Sequence, residues 1–576
     1  MTGSPNGSLR NRIRFLYLCV FLFGLIAFVR LFYLQILHGS DYRDLADRQY
    51  SQPVTNLFNR GSIYFTEKNG NLLSAATLKT TYFLALSPKV IVDPAGACAK
   101  IGEILGVENS ACLAKATKKD DPYEVLGRGY SEEDANRITD EKMLGVTMYK
   151  ENNRIYPAGQ LAANLLGFVG FGKESGAFPV GRYGVEKKFD DVLTRSFDGV
   201  STNFFAELFG NIKDTIAGDL HPEGDVVLTI EPSVQGHLEK ALFDVKEKWQ
   251  AESAGGVVIE PSTGKIIAMA SLPTYDPNQF SKEKNQAVFG NPITESVFEM
   301  GSIVKPLTMG AGIDAGVVTR KSTYDDKGSV VLNGKKISNF DGKARGVIPM
   351  QEVLNQSLNV GSVYIMQKLG AENFSTYMRA YGLGEQTGID LPSEQAGLIK
   401  NLSSDYEVDR ATAAFGQGIA ITPIEVTRAL STLANGGVLM KPYLVDKIVY
   451  KSGLEKKTEP VPQGRVLKES TAATVSDMLT EVVDTKLANG KAKMDHYSVA
   501  AKTGTAQIAN PATGKYYDDR YLHSFFGYFP KDHARYLTFL YIVHPKGVQY
   551  SSETLTEPFL DMTKYLIQYY NIPPDR

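Results

Sequence analysis

Ser302-Ile303-Val304-Lys305, with Phe298-Glu299-Met300-Gly301 before it and Pro306 after it, sets a hydroxyl and an amine three residues apart. On a helix such positions share a face, with Cβ atoms about 5–6 Å apart. Proline is tolerated in the first turn, where N–H groups have no intrahelical partner, so Pro306 predicts a helix beginning near Ser302. A helix N-terminus favours developing negative charge. Gly301 leaves room for a ligand or for another stretch of backbone. A serine nucleophile needs an adjacent base. Lys305 can be that base only when neutral, which burial or a cationic neighbour would bring about. Taken alone, such a pair is far more often an N-capping serine followed by an unrelated lysine.

Two further pieces change that balance. Ser357-Leu358-Asn359 places a hydroxyl and an amide on one side of a turn or short extended segment, where one can relay a proton and the other hold a carbonyl. Lys502-Thr503-Gly504-Thr505 lies inside a strand predicted over Tyr497 to Gln507. Gly504 there suggests a ligand backbone lying close, as when a peptide adds to a sheet edge, and Lys502 and Thr503 offer a charge and a hydroxyl for a carboxylate. Neither piece is informative by itself.

Around these pieces the chain reads as α+β. A hairpin is predicted from Gly256-Val257-Val258-Ile259-Glu260 and Lys265-Ile266-Ile267-Ala268-Met269-Ala270 across Pro261-Ser262-Thr263-Gly264. Leu522 to Phe529 and Arg535 to Val543 are further strands, close enough in sequence for antiparallel neighbours. Val226 to Ile230 reads as a short strand, and Glu231 to Lys248 and Phe559 to Tyr570 have helical periodicity. Residues 300–440 read as mostly helical. An antiparallel sheet drawn from both ends of a domain starting near Asp225, with helices on its faces, is the expectation. The region from about 40 to 220 reads as a strand-rich spacer, with a linker at Gly218 to Gly224.

The bulk numbers exclude some classes. A chain of 576 residues carries several domains, and a formal net charge of −2 gives no general drive toward nucleic acid. Three Cys are too few for a disulfide scaffold, and the seven His fall in no recognisable triad. No Gly-x-Ser-x-Gly, His-Glu-x-x-His or Gly-x4-Gly-Lys-Ser/Thr pattern occurs.

From Phe15 to Val29 no charge appears, and after Arg30 the apolar run resumes to Leu37. About 23 residues suffice to cross a bilayer core, and Arg30 can snorkel. Arg10, Arg12 and Arg14 place the tail in the cytoplasm and the rest outside. A cleaved signal peptide would have a shorter apolar core and small residues after it, whereas Tyr33, Leu34 and Gln35 follow here. Cys98 and Cys112 then fall outside the membrane, where disulfides persist, but the sequence leaves their pairing open.

The three pieces occur in a fixed order, about 50 and then about 145 residues apart, as in serine enzymes acylated by penicillin. With the anchor, the chain resembles class B penicillin-binding proteins, monofunctional peptidoglycan D,D-transpeptidases. The spacer supports this: Arg154-Ile155-Tyr156-Pro157-Ala158-Gly159, Gly184-Val185-Glu186 and Phe189-Asp190 resemble the family's pedestal motifs, and Phe415-Gly416-Gln417-Gly418 a segment bordering its site. Arg60-Gly61 with Asn69-Gly70 resembles the first pedestal motif, with Phe65-Thr66-Glu67-Lys68 standing where an Asp-Arg pair is typical. Phe298-Glu299 before Gly301-Ser302, and Ala506-Gln507-Ile508 with Ser524-Phe525-Phe526-Gly527, resemble the division (septal) type, although Met300 replaces the usual proline.

The resemblance implies a cytoplasmic tail at 1–14, a transmembrane helix at 15–37, a pedestal (dimerisation-type) domain at 38–224 and a serine β-lactamase-like transpeptidase domain at 225–576. It implies Ser302, Lys305, Ser357 and Lys502 as catalytic and Asn359, Thr503, Gly504 and Thr505 as substrate-binding, with no metal or cofactor. The implied partners are D-Ala-D-Ala stem peptides, an amine acceptor, β-lactams as covalent inhibitors, and a SEDS-family glycosyltransferase with the division machinery. An elongation-type enzyme and a penicillin sensor or β-lactamase-like protein remain open.

Overall fold

The computed structural model describes residues 58–171, 179–195 and 223–576 and, nearer the N-terminus, Leu22 alone. Apart from Leu22, the expected membrane span at 15–37 lies outside the described residues. Among the described residues no helix is long and apolar enough to cross a membrane. The chain forms two compact units, which divide at Thr80 and again after Asn152.

The smaller unit holds residues 80–152. The strand Leu72–Leu86 enters it at Thr80 and pairs antiparallel with Glu124–Tyr130, Tyr82 facing Tyr130 and Leu84 facing Gly127. Helices Pro94–Leu105 and Asn109–Ala116 fold back on each other. Gly106 makes the reversal possible, because its φ of 68° lies in the left-handed region a residue with Cβ rarely adopts. The reversal brings Cys98 of the first helix beside Cys112 of the second, with Cα atoms 5.6 Å apart, and they form a disulfide. The pairing that the sequence left open is thus made, by a reversal that the spacing alone did not reveal. The disulfide joins Leu84, Leu86, Ile101 and Ile138 in this unit's core.

In the larger unit, the residues of the spacer motifs converge. Arg60 donates from Nε to Glu186 Oε2 at 2.7 Å and from an Nη to Asp190 Oδ1 at 2.7 Å. Arg154 Nε donates to the other Glu186 oxygen at 2.6 Å, and the Tyr156 hydroxyl to that same oxygen at 3.1 Å. Burial pushes the Glu186 carboxyl up, but Arg154 and Arg60 more than reverse this and hold it below the ordinary carboxylate range. The strand Gly224–Leu228 takes up the end of the expected linker. It pairs with Val445–Tyr450 and lies parallel to Ile63–Thr66, with Ile63 facing Val226.

Five antiparallel strands make the central sheet, in the order Ala500–Asn510, Lys515–Phe529, Tyr536–Val543, Ser253–Glu260, Lys265–Leu272. The hairpin and the three C-terminal strands are those expected, so the sheet is indeed drawn from both ends of the sequence. Helices Pro232–Lys248 and Thr556–Tyr570 cover one face, burying Val234, Leu238 and Leu242 and also Phe559, Met562 and Leu566 against Val258, Phe525, Phe529 and Leu540. Each such side chain contributes about 1.5–3 kcal/mol through removal of apolar surface from water. The other face packs on Pro423–Ala434, buried along its whole length, and on Glu469–Glu481, which in turn contact Lys305–Asp314, the neighbour of Asn359–Leu369. The expected helical middle also contains two small two-stranded ribbons between Thr323 and Pro349. Their strands are four residues long, too short for a period to register.

Candidate active site

Gly301–Val304 is one turn of 3-10 helix that runs straight into the α-helix Lys305–Asp314, with Pro306 in its first turn. Ser302 thus stands at a helix start, as Pro306 predicts. Gly301 has φ +64°, and a Cβ there would sit 2.7 Å from the Thr505 carbonyl oxygen. The room it leaves is taken by the backbone of the Lys502–Thr505 strand. The Gly301 N–H donates to Gly416 O at 3.0 Å, which ties the Phe415 to Gly418 segment to the same turn.

Ser302 opens onto a cavity of about 950 Å³. Ser357, Asn359, Lys502, Thr503 and Thr505 share its wall, so six of the eight residues singled out from the sequence converge there. Lys305 lies beneath the wall, 1% exposed. Its Nζ is 2.5 Å from Ser357 O and 3.2 Å from Ser357 Oγ. Lys502 Nζ reaches the same Oγ at 3.1 Å and Thr503 O at 3.0 Å. Burial, and then the charge of Lys502, drive the Lys305 amine well below its ordinary pKa. Burial brings Lys502 down to about 7. A hydroxyl held between two nitrogens that are readily neutral can pass a proton either way. Ser357 adopts a left-handed φ of 55°, which turns the chain sharply before the helix Asn359–Leu369 begins. Of the two settings the sequence allowed, a turn or a short extended segment, the structure has the turn: Ser357 sits in it and Asn359 follows in the first turn of a helix. Asn359 Nδ2 donates to Ser338 O at 2.9 Å, which fixes the amide on the cavity wall.

Gly504 departs from the reading given to it. The strand that carries it is an edge strand, as anticipated, but Gly504 does not line the cavity. A Cβ there would meet Ser524 Oγ at 2.3 Å and the Met300 carbonyl oxygen at 2.7 Å. The close neighbour is the turn that carries Ser302, which packs on the strand face that Gly504 shares with Lys502. Its smallness therefore serves the nucleophile's placement rather than the approach of a ligand.

Several wall residues carry no signal in the sequence. Lys336 to Ser338, Val482, Lys486 to Asn489 and Gln549 to Glu553 come from connections far apart in the chain. Glu299, noted only as part of a motif, accepts from the Tyr516 hydroxyl at 2.9 Å, and its carboxyl is raised by burial. Ser524 Oγ donates to Met300 O at 2.7 Å. The Ser524 to Gly527 run could have flagged that contact; nothing local could have flagged the others.

Residues 254–563 match the family model described as penicillin binding protein transpeptidase domain, and residues 56–225 match the penicillin-binding protein dimerisation domain. The chain belongs to the class B penicillin-binding proteins. It is a serine-type peptidoglycan D,D-transpeptidase with a pedestal domain before the catalytic one. The enzyme is 29% identical to stage V sporulation protein D of Bacillus subtilis over 96% of this chain and 85% of that one. It is also 29% identical to peptidoglycan D,D-transpeptidase FtsI of Escherichia coli, over 78% and 73%. Among solved structures it resembles penicillin-binding protein 3 of Mycobacterium tuberculosis complexed with ampicillin, with a TM-score of 0.65, 28% identity, and coverage of 74% of this chain and 91% of that one.

Proposed function

We propose that Ser302 carries an acyl-enzyme during septal peptidoglycan crosslinking. The observation that carries this reading is the Ser357 hydroxyl held between Lys305 and Lys502 on the wall that Ser302 also lines. Lys305 takes the Ser302 proton while Oγ attacks the penultimate D-Ala carbonyl of a stem pentapeptide. The N–H groups of Ser302 and Thr505 stabilise the oxyanion. The D-Ala–D-Ala peptide bond breaks, and D-Ala leaves with a proton passed through Ser357. Lys502, Thr503 and Thr505 hold the terminal carboxylate, and Asn359 orients the donor. An amine of a neighbouring stem then attacks the ester, the crosslink forms, and Ser302 recovers its proton. A β-lactam enters the same path, its ring opening onto Ser302 Oγ.

In the same reading, residues 15–37 anchor the enzyme in the cytoplasmic membrane, 38–224 form the pedestal and 225–576 the catalytic domain, both outside. A SEDS-family glycosyltransferase supplies nascent strands and contacts the anchor and pedestal. The Phe298-Glu299 and Ser524 to Gly527 motifs and the likeness to FtsI favour the septal role over elongation.

Intact-mass measurement after penicillin treatment tests the chemistry. A single adduct is expected on the wild type and none on Ser302→Ala or Lys305→Ala; an adduct on Ser302→Ala would sink the assignment. A defined donor and acceptor should yield crosslinked product. Depletion should give filamentous undivided cells, and rounded cells that still septate would point to elongation. A phosphatase fused after Arg576 should be active outside.

A further inference from the structure

Gln549 to Glu553 form one wall of the cavity, yet they belong to the connection between the last strand of the sheet and the C-terminal helix. Short connections of this kind take their position from what they are tied to. The tie here is His523. It lies on Lys515–Phe529, directly opposite Thr505 in the strand register, and is fully buried. His523 Nε2 is 3.0 Å from the Gln549 carbonyl oxygen, and Nδ1 is 3.0 Å from Thr554 Oγ1. A carbonyl has no proton to give, so Nε2 carries the hydrogen and donates; Nδ1 then faces the Thr554 hydroxyl, which also reaches Ser551 O at 3.1 Å. Burial pushes the ring's pKa down to about 4, so it is neutral at physiological pH. One uncharged imidazole therefore clips both ends of the wall segment to the strand beside Lys502–Thr505.

The middle of the segment is tied to the same place. The Ser551 N–H donates to Thr505 Oγ1 at 3.1 Å, and Ser551 Oγ donates to Ser524 O at 2.7 Å. Ser524 Oγ in turn donates to Met300 O, two residues before the nucleophile. The wall, the carboxylate-binding strand and the nucleophile's turn thus share one hydrogen-bonded frame, in which His523 makes the two end contacts.

We propose that His523 is a positioning residue for substrate capture: it sets the gap between the Gln549–Glu553 wall and Thr503 and Thr505, and so the affinity with which the site takes a stem peptide or a β-lactam. The inference rests on the transpeptidase reading of the cavity. His523 touches no substrate itself. Its loss widens the gap and weakens encounter binding, while Ser302, Lys305 and Ser357 keep their arrangement.

The test uses the full chain in detergent and a fluorescent penicillin, with acylation rate measured against probe concentration. Wild-type acylation is a separate check: its absence would overturn the transpeptidase reading and not this one. His523→Leu should raise the half-saturating concentration about tenfold, as loss of one or two buried hydrogen bonds implies, with the limiting rate within about threefold of wild type. His523→Gln can still present an N–H to Gln549 O and should recover most of the loss. Thr554→Val should shift the half-saturating concentration in the same direction by less. A fall confined to the limiting rate, or His523→Gln no better than His523→Leu, overturns the proposal. If His523→Leu does not fold, Thr554→Val decides: a wild-type half-saturating concentration in that variant overturns it.

Discussion

Glu186→Gln perturbs a buried contact in which one carboxylate faces two guanidinium groups. Glu186 is fully buried, and Arg60 and Arg154, at 1% and 4% side-chain exposure, direct one guanidinium each to its two oxygens. Glutamine keeps the shape, but its amide presents hydrogens to one of the two cations and removes the compensating charge from both. Breaking a buried pair by removing one partner costs about 3–5 kcal/mol. Arg60 keeps Asp190 and the Glu186 carbonyl, so the lower end, about 3 kcal/mol, is expected. Against a domain stability of about 5–15 kcal/mol this is a large share. At roughly 2–4 °C per kcal/mol it lowers Tm by about 6–12 °C. The pH dependence has a definite sign. Because the folded carboxyl titrates below its unfolded value, its contribution is present at neutral pH and is lost as pH falls from the ordinary glutamate range through the lowered one. The melting gap between wild type and variant should therefore close on acidification. Circular dichroism melts at neutral pH and near pH 3.5, with penicillin labelling at low temperature as a check on folding, measure both. A neutral-pH gap under about 2 °C, or a gap that acid leaves unchanged, refutes the reasoning.

Lys502→Gln should slow acylation at every pH and also move the acid limb of the pH–rate profile. Burial and then the Lys502 cation lower Lys305, so removing that cation lets Lys305 stay protonated to higher pH and shifts the limb upward; an unmoved or lowered limb contradicts this. Gly504→Ala should cut penicillin acylation by about 100-fold and cost about 1–3 kcal/mol of stability, because the new methyl displaces the Met300 carbonyl and with it the Ser302 turn. Near-normal acylation rates would show that the turn tolerates the methyl. Replacing Cys98 and Cys112 by Ser should cost the smaller unit about 3 kcal/mol and speed limited proteolysis within residues 80–152. In the denatured, unreduced wild type only Cys19 should label with a thiol reagent.

The sequence by itself carried the local chemistry and the elements with enough length to show a period. Ser302 with Lys305, and Pro306 one position on, is a statement about i, i+3 spacing and a missing N–H, and both are fixed by the chain alone. The hairpin at Gly256 to Ala270 and the helices at Pro232–Lys248 and Thr556–Tyr570 were legible because one face alternates or recurs over two turns or more. The grouping of Ser302, Ser357 and Lys502 was legible only through their order along the chain, since nothing local says that residues 145 apart share a hydroxyl. Tertiary structure alone decided which group each lysine faces, because both amines reach the Ser357 hydroxyl and their lowered pKa comes from burial by residues distant in sequence. It also decided that Gly504 makes room for Met300 rather than for a ligand, and that Cys98 meets Cys112. Those are contacts across a strand or a helical reversal, and a one-dimensional pattern holds no record of which face meets which.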